Sequence, residues 1–151
     1  MSTQHSGQTV KIDVNKFVNA CQRNISRVSN KLNDYIANPD EKNIHDIRIS
    51  IRRLDACYKT LPKKIRNKKQ VKTYVHKSRD LFKLNSEIRD FDVITDLIRK
   101  NPENGNGNGV GHTKFENRRA SKLKEAKVVA VGLRKLTVPN IDKGNITALK
   151  L

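Results

Sequence analysis

The chain has 151 residues, with 32 Lys and Arg against 15 Asp and Glu and a formal net charge of +17. That length is usual for one domain, and so much positive charge in one domain indicates a polyanionic partner. No apolar run approaches the roughly 20 residues that span a bilayer, and the polar first seven residues lack the apolar segment of a secretion signal. Two cysteines are too few for a zinc finger or a disulfide scaffold. We therefore expect a cytoplasmic protein with no membrane segment, metal or cofactor.

The first two predicted helices form a hairpin. Apolar residues recur every three or four positions over 14–36 and again over 40–61, and each set falls on one helix face. Pro39 disfavours helical geometry in the residue before it, so the two helices are joined by a short turn and run antiparallel. In this hairpin Cys21 lies level with Cys57. We expect two buried thiols that act as small hydrophobes, with a disulfide as the alternative.

Two further helices complete the predicted bundle over residues 1–100. The periodicity of 71–88 predicts a third helix, and the apolar residues of 91–98 predict a fourth. A break between them is expected near Asn85 and Ser86. The fold predicted from the sequence is therefore all-α, an antiparallel bundle of about four helices.

Asparagine and glycine dominate residues 101–112, which predicts a flexible linker. A fifth, basic helix follows over 113–138, and its apolar stripe is narrow. This helix must therefore either complete the domain or contact a second chain. Residues 139–151 are expected to form a loose tail.

One face of the second helix carries a stripe of cations. Its members are His45, Arg48, Arg52 and Arg53, and the apolar residues lie on the other side. Guanidinium groups about one turn apart, roughly 5.4 Å along the helix, suit a run of phosphates better than one isolated anion. The alternative is an ordinary solvated basic face, with His45 as a structural hydrogen-bonding residue.

Two sequence motifs carry a family resemblance. The first is H-D-I-R-I-S-I-R-R-L, from His45 to Leu54, and the second is R-D-F-D-V, from Arg89 to Val93. In this order, about 40 residues apart, they resemble the signatures of the CHAD family, the conserved histidine α-helical domain. The resemblance implies an all-helical fold that binds inorganic polyphosphate. It also implies a partner of the triphosphate-tunnel family and a location at polyphosphate granules.

Members of that family usually contain two related helical halves, whereas this chain supplies one half and a further helix. The groove expected between two halves is then either incomplete or completed by a second copy. We expect two chains to associate and the fifth helix to contribute to their contact.

The candidate polyphosphate-binding residues are cations of the first motif and of the segments predicted to lie near it. They are His45, Arg48, Arg52, Arg53, Lys59, Arg79, Lys83, Arg89, Arg118, Arg119 and Lys122. Asp90 and Asp92 are interpreted as partners that hold an arginine or His45 in position, or as residues of the first turn of a fourth helix.

The main alternative function is non-specific binding of RNA or DNA, which backbone contacts alone provide. Proteins that bind single strands stack bases on exposed aromatic rings, whereas the aromatic residues here fall on apolar stripes. They are Phe17, Tyr35, Tyr58, Tyr74, Phe82 and Phe115. The chain also lacks a phosphate-binding loop and the histidine spacings of metal sites, so we expect no catalytic activity.

Overall fold

The computed structural model describes residues 2–101 and 109–141, and it describes side chains over 14–101 and 113–141. Its helices are α1 (Ser2–Ala37), α2 (Glu41–Thr60), α3 (Lys63–Arg66), α4 (Lys69–Lys100) and α5 (Gly109–Lys135). These ranges contain helices and no strand, which confirms the predicted all-α class. None of the helices so described has the length and apolar character that crossing a membrane requires.

Four long helices form the bundle, in the cyclic order α1, α2, α4, α5, with α5 packed back against α1. The predicted hairpin of α1 and α2 is confirmed. Asp40 caps α2, because its carboxylate accepts the backbone N–H of Asn43 at 2.8 Å. The amide of Asn43 in turn donates to the carbonyl of Asn38 at 2.7 Å. The turn is thereby fixed by its own side chains.

The segments predicted as a third and a fourth helix are one continuous helix, α4, so the break expected at Asn85 and Ser86 is wrong. Both polar side chains bond within the helix: the amide of Asn85 donates to Leu81 O at 2.9 Å, and the hydroxyl of Ser86 donates to Phe82 O at 2.9 Å. Asn85, fully buried, also accepts the hydroxyl of Tyr35 at 2.8 Å. Polar residues that are satisfied in this way do not interrupt a helix.

The fifth helix completes the bundle within the same chain. It begins at Gly109, not at 113, and ends at Lys135, not at 138. Residues 109–112 of the predicted linker are thus helical, while 102–108 lie outside the described residues. Ala126, Ala130 and Leu133 are fully buried in the common core. Of the two expectations for this helix, completion of the domain is confirmed, and contact with a second chain stays a prediction.

The beginning of the predicted loose tail is bound to α1. The amide of Gln22 donates to the carbonyl of Pro139 at 3.0 Å and accepts the backbone N–H of Ile141 at 2.7 Å. Pro139 and Ile141 are both buried. Isolated apolar residues without periodicity gave no sign of this contact in the sequence. The rest of the predicted tail, 142–151, lies outside the described residues.

The two cysteines lie in neighbouring helices as free thiols. Cys21 is fully buried and Cys57 is half-buried, where it accepts the amide of Asn24 at 2.9 Å. Burial, and next the neighbouring Cys57, raises the pKa of Cys21 to about 12. Cys21 therefore behaves as the small hydrophobe that was expected, and the disulfide alternative is not formed.

Helix α1 begins at Ser2, twelve residues before the predicted start at 14. One consequence is that Phe17 is 48% exposed, so the expectation that its ring is covered is wrong. The contact of Asn24 with Cys57 sets the register of the hairpin. Seven residues earlier along α1, Phe17 lies beyond the end of α2 at Thr60 and has no facing helix there.

Candidate polyanion-binding groove

Helices α2 and α4 bring the two sequence motifs together. The Nε of Arg48, on α2, donates to the hydroxyl of Ser86, on α4, at 3.3 Å. The guanidinium of Arg48 also lies over the ring of Phe82, 5.4 Å from its centroid. Cation–π stacking and this hydrogen bond hold the side chain in one orientation. Arg48 is consequently a fixed group at the surface between the two helices.

Cations crowd around Arg48. Burial lowers its pKa, and the positive charges of Arg89 and Arg52 lower it further, while the carboxylate of Asp90 acts in the opposite direction. Three guanidinium groups thus repel one another beside one carboxylate. Arg52 and Arg89 are exposed, and within the described part of the chain neither has a carboxylate within 4 Å. A bound anion would relieve this repulsion.

Further along the same surface, two cations share one carboxylate. Nε of Arg79 donates to Asp55 at 2.6 Å, and Nζ of Lys59 lies 3.2 Å from the other oxygen of Asp55. Arg79 also stacks over Tyr58, at 5.5 Å from the ring centroid. The surface as a whole carries six cations against Asp55 and Asp90. We call it the α2–α4 groove, made of Arg48, Arg52, Lys59, Arg79, Lys83 and Arg89.

Two residues of the predicted stripe do not face this groove. Arg53 lies about 140° around α2 from Arg48. It falls on the side where Asp46 contacts α1 through Lys31, with 3.7 Å between Nζ and the carboxylate. His45 is exposed on the outer face of α2. The structure brings neither into contact with Arg48.

Three other predicted site residues belong to a different place, on the opposite side of α4. Arg119 makes a two-point contact with Asp92, at 2.6 Å from Nε and 3.4 Å from Nη2. Lys122 lies 3.2 Å from Glu87, and its pKa is raised mainly by that hydrogen bond. We call this pair of contacts the α4–α5 seam; the third residue, Arg118, is exposed next to it.

The seam decides one interpretation made from the sequence. Asp92 pairs with an arginine, as expected, whereas a first turn of a fourth helix does not exist at this point of α4. The rings of Phe91 and Phe115 pack beside this ion pair, with centroids 6.2 Å apart. The cations of the seam are therefore structural partners of carboxylates.

Sequence reasoning missed two residues of the groove, Phe82 and Ser86. Phe82 was assigned to the apolar stripe, and Ser86 was assigned to a break. Their spacing of four residues on one helix face was the available signal, because such a pair presents a ring and a hydroxyl on consecutive turns. The partner that gives the pair its meaning, Arg48, is 38 residues away.

No group of three or more His, Cys, Asp or Glu side chains that could hold a metal ion occurs among the described residues. Comparison of the chain with protein-family models, with curated proteins and with solved structures gave no match. The fold and the groove define an all-α bundle with one cation-rich surface. The likeness to the CHAD family continues to depend on the two sequence motifs.

Proposed function

We propose that this protein binds inorganic polyphosphate, or a similar linear polyanion, through the α2–α4 groove. One observation carries the proposal: the guanidinium groups of Arg48, Arg52 and Arg89 crowd together with Asp90 as the nearest opposing charge. Such a cluster costs free energy when it is empty and is stabilised by a ligand that brings several negative charges. The two motifs that resemble the CHAD family both contribute to this cluster, which supports the same ligand.

The geometry of Arg48 suits phosphate in particular. Its Nε is engaged by Ser86 and one face of the guanidinium covers Phe82, so the two Nη groups remain for a ligand. A planar fork of this kind binds phosphate oxygens in pairs. Because the groove offers anchored cations and no reacting group, the role proposed is binding without catalysis.

Non-specific nucleic-acid binding is the alternative, and Phe17 is the observation relevant to it. Phe17 is half exposed, as a base-stacking ring must be. Along α1 it lies about 20 Å from Lys31, whose partner Asp46 belongs to the same turn of α2 as Arg48. The exposed ring and the cationic cluster are thus at different ends of the bundle. This separation favours a ligand without bases.

The proposal is tested with two matched double variants. Replacing Arg48 and Arg52 by alanine should weaken the binding of long-chain polyphosphate by about a hundredfold, since each hydrogen bond to a charged group contributes roughly 1.5–3 kcal/mol. Replacing Arg23 and Arg27, which are also four residues apart and exposed, should weaken it by less than about threefold.

Isothermal titrations at several salt concentrations measure both variants, with RNA and duplex DNA at equal phosphate concentration. The salt dependence should be shallower for the variant of Arg48 and Arg52, because fewer counterions are released. Equal losses from the two variants would mean diffuse attraction and would refute the proposed site. Tighter binding of RNA or DNA than of polyphosphate would support the nucleic-acid alternative.

A further inference from the structure

A row of basic side chains extends from the groove to the beginning of α4. Its members are spaced by three and four residues and fall within about 80° of the helix circumference. They are Lys69, Lys72, His76, Arg79 and Lys83, and we call them the α4 row. The contacts of Arg79 with Asp55 and Tyr58 show that the row borders α2. Ser86, which holds Arg48, follows the row three residues later.

The far end of the row opens into a hollow of about 320 Å³. Lys69, Lys72, Thr73, His76 and Lys77 line it, so it contains three lysines and a histidine and no carboxylate. The three lysines are exposed, and within the described ranges none is within 4 Å of an acidic group. The fold makes no visible use of these charges.

The backbone adds to the positive potential of the hollow. The first turn of α4 contains no acidic residue, and Lys68, at the N-cap, makes no side-chain cap bond. The positive end of the helix dipole is therefore not offset by a side chain, and it acts in the same direction as Lys69 and Lys72. Cavity, side chains and backbone all favour an anion.

The hollow and the cluster around Arg48 are far enough apart to act separately on a small anion. Lys69 and Ser86 are seventeen residues apart on one helix, which is about 25 Å. This is more than twice the Debye length of about 10 Å at 0.1 M salt. A short phosphate held by Arg48 therefore gains nothing from the hollow. A chain tethered at Arg48 reaches it as an intramolecular event, at high effective concentration.

We propose that the α2–α4 groove and the hollow are the two ends of one track for a linear phosphate chain, which the α4 row connects. This inference rests on the proposed function and extends it. The protein then selects its ligand by length, because a chain that spans the track gains the lysines of the hollow and a triphosphate does not. The length of the described row sets the length of chain that is preferred.

The test compares long-chain polyphosphate with inorganic triphosphate on one double variant of the hollow. Replacing Lys69 and Lys72 by alanine should weaken the binding of the long chain about tenfold, the upper range for two exposed ion pairs. Its salt slope should fall by about 1.4, as two contacts to a single-stranded polyanion predict. The affinity for triphosphate should change less than about twofold, because the hollow is beyond screening distance.

Lys124 and Lys127 on α5 supply the matched control. They are exposed and three residues apart, like Lys69 and Lys72, but they belong to neither end of the track. Their replacement by alanine should change the affinity for either ligand less than about twofold. The inference is overturned if the two double variants weaken the long chain equally, or if the hollow variant weakens both ligands equally. Failure of the Arg48 and Arg52 variant to lose binding would instead refute the proposed function itself.

Discussion

The α2–α4 groove and the α4–α5 seam lie on opposite sides of the same helix and contain similar numbers of basic residues per turn, yet their charges are used differently. In the seam, Arg119 and Lys122 each face a carboxylate at 2.6 and 3.2 Å. In the groove, Arg48 faces two other arginines. Net charge alone therefore does not locate a binding surface. The position of the carboxylates, which are fewer, decides where positive charge is available to a ligand.

Reversing the charge of the groove should have the largest effect. Replacing Arg52 and Arg89 by glutamate places carboxylates beside Arg48, as in the seam, and should weaken the binding of long-chain polyphosphate at least about a hundredfold, because like charges at an interface cost several kcal/mol. Neither arginine has an ion pair in the described structure, so the melting temperature should change little.

Arg23 and Arg27 provide the control, since their replacement by glutamate changes the net charge equally. Titration calorimetry at one salt concentration compares the two proteins. If both lose the same affinity, total charge and not the groove governs binding.

Alkaline pH should separate the core from both charged regions. The pKa of Cys21 is raised by burial from 9.0 to about 12, and that of Tyr74 is raised by burial from 10.0 to about 12. Above pH 9 the unfolded chain therefore releases protons that the folded protein keeps. The free energy of unfolding should fall as the pH rises, by up to about 1.4 kcal/mol per pH unit for each group.

Urea denaturation between pH 7 and 10.5 measures this decline. In a Cys21→Ala variant the decline should begin about one pH unit later, because Tyr74 remains and its hydroxyl, which is buried without a hydrogen-bond partner, ionises in the unfolded chain only near pH 10. A wild-type protein whose stability is constant up to pH 10.5 would contradict the burial of these groups.

The smallest effect distinguishes structural from available cations. Replacing Arg119 by alanine should lower the free energy of unfolding by about 1–2 kcal/mol, because it removes a two-point contact with Asp92. Binding of polyphosphate should stay within about twofold of the wild type. The adjacent Arg118, which is exposed, should cost less than about 0.5 kcal/mol when it is replaced. Thermal and urea melts check both variants, and an Arg119 variant that loses affinity would place the seam within the binding surface.

The sequence was sufficient for the elements that depend on local periodicity. The hairpin of α1 and α2 and the apolar stripe of α5 follow from spacings of three and four residues. The continuity of α4 did not follow, because Asn85 is satisfied by Tyr35, 50 residues away. A polar pair in a helix and a polar pair in a turn look alike until such a partner is known.

The candidate site shows the same division. The cations of helix two were identified correctly as a group, but their azimuth relative to α1 and α4 decides that Arg48 and Arg52 share the groove and Arg53 does not. For Arg119 and Lys122 the deciding partners are Asp92 and Glu87, on another helix. Contacts between elements distant in the chain are fixed by packing, which one sequence does not display.

The clasp between Gln22 and Ile141 has a consequence for the order in which the molecule forms. Its hydrogen bonds join residues that are 117 and 119 positions apart, so they close nearly the longest loop that the described chain permits. Closure of a long loop costs conformational entropy that short hairpins do not pay, and contacts of this kind form slowly. The α1–α2 hairpin can therefore assemble while the chain is being synthesised, with one apolar side uncovered. The last turn of the bundle is completed only when residues beyond α5 have left the ribosome.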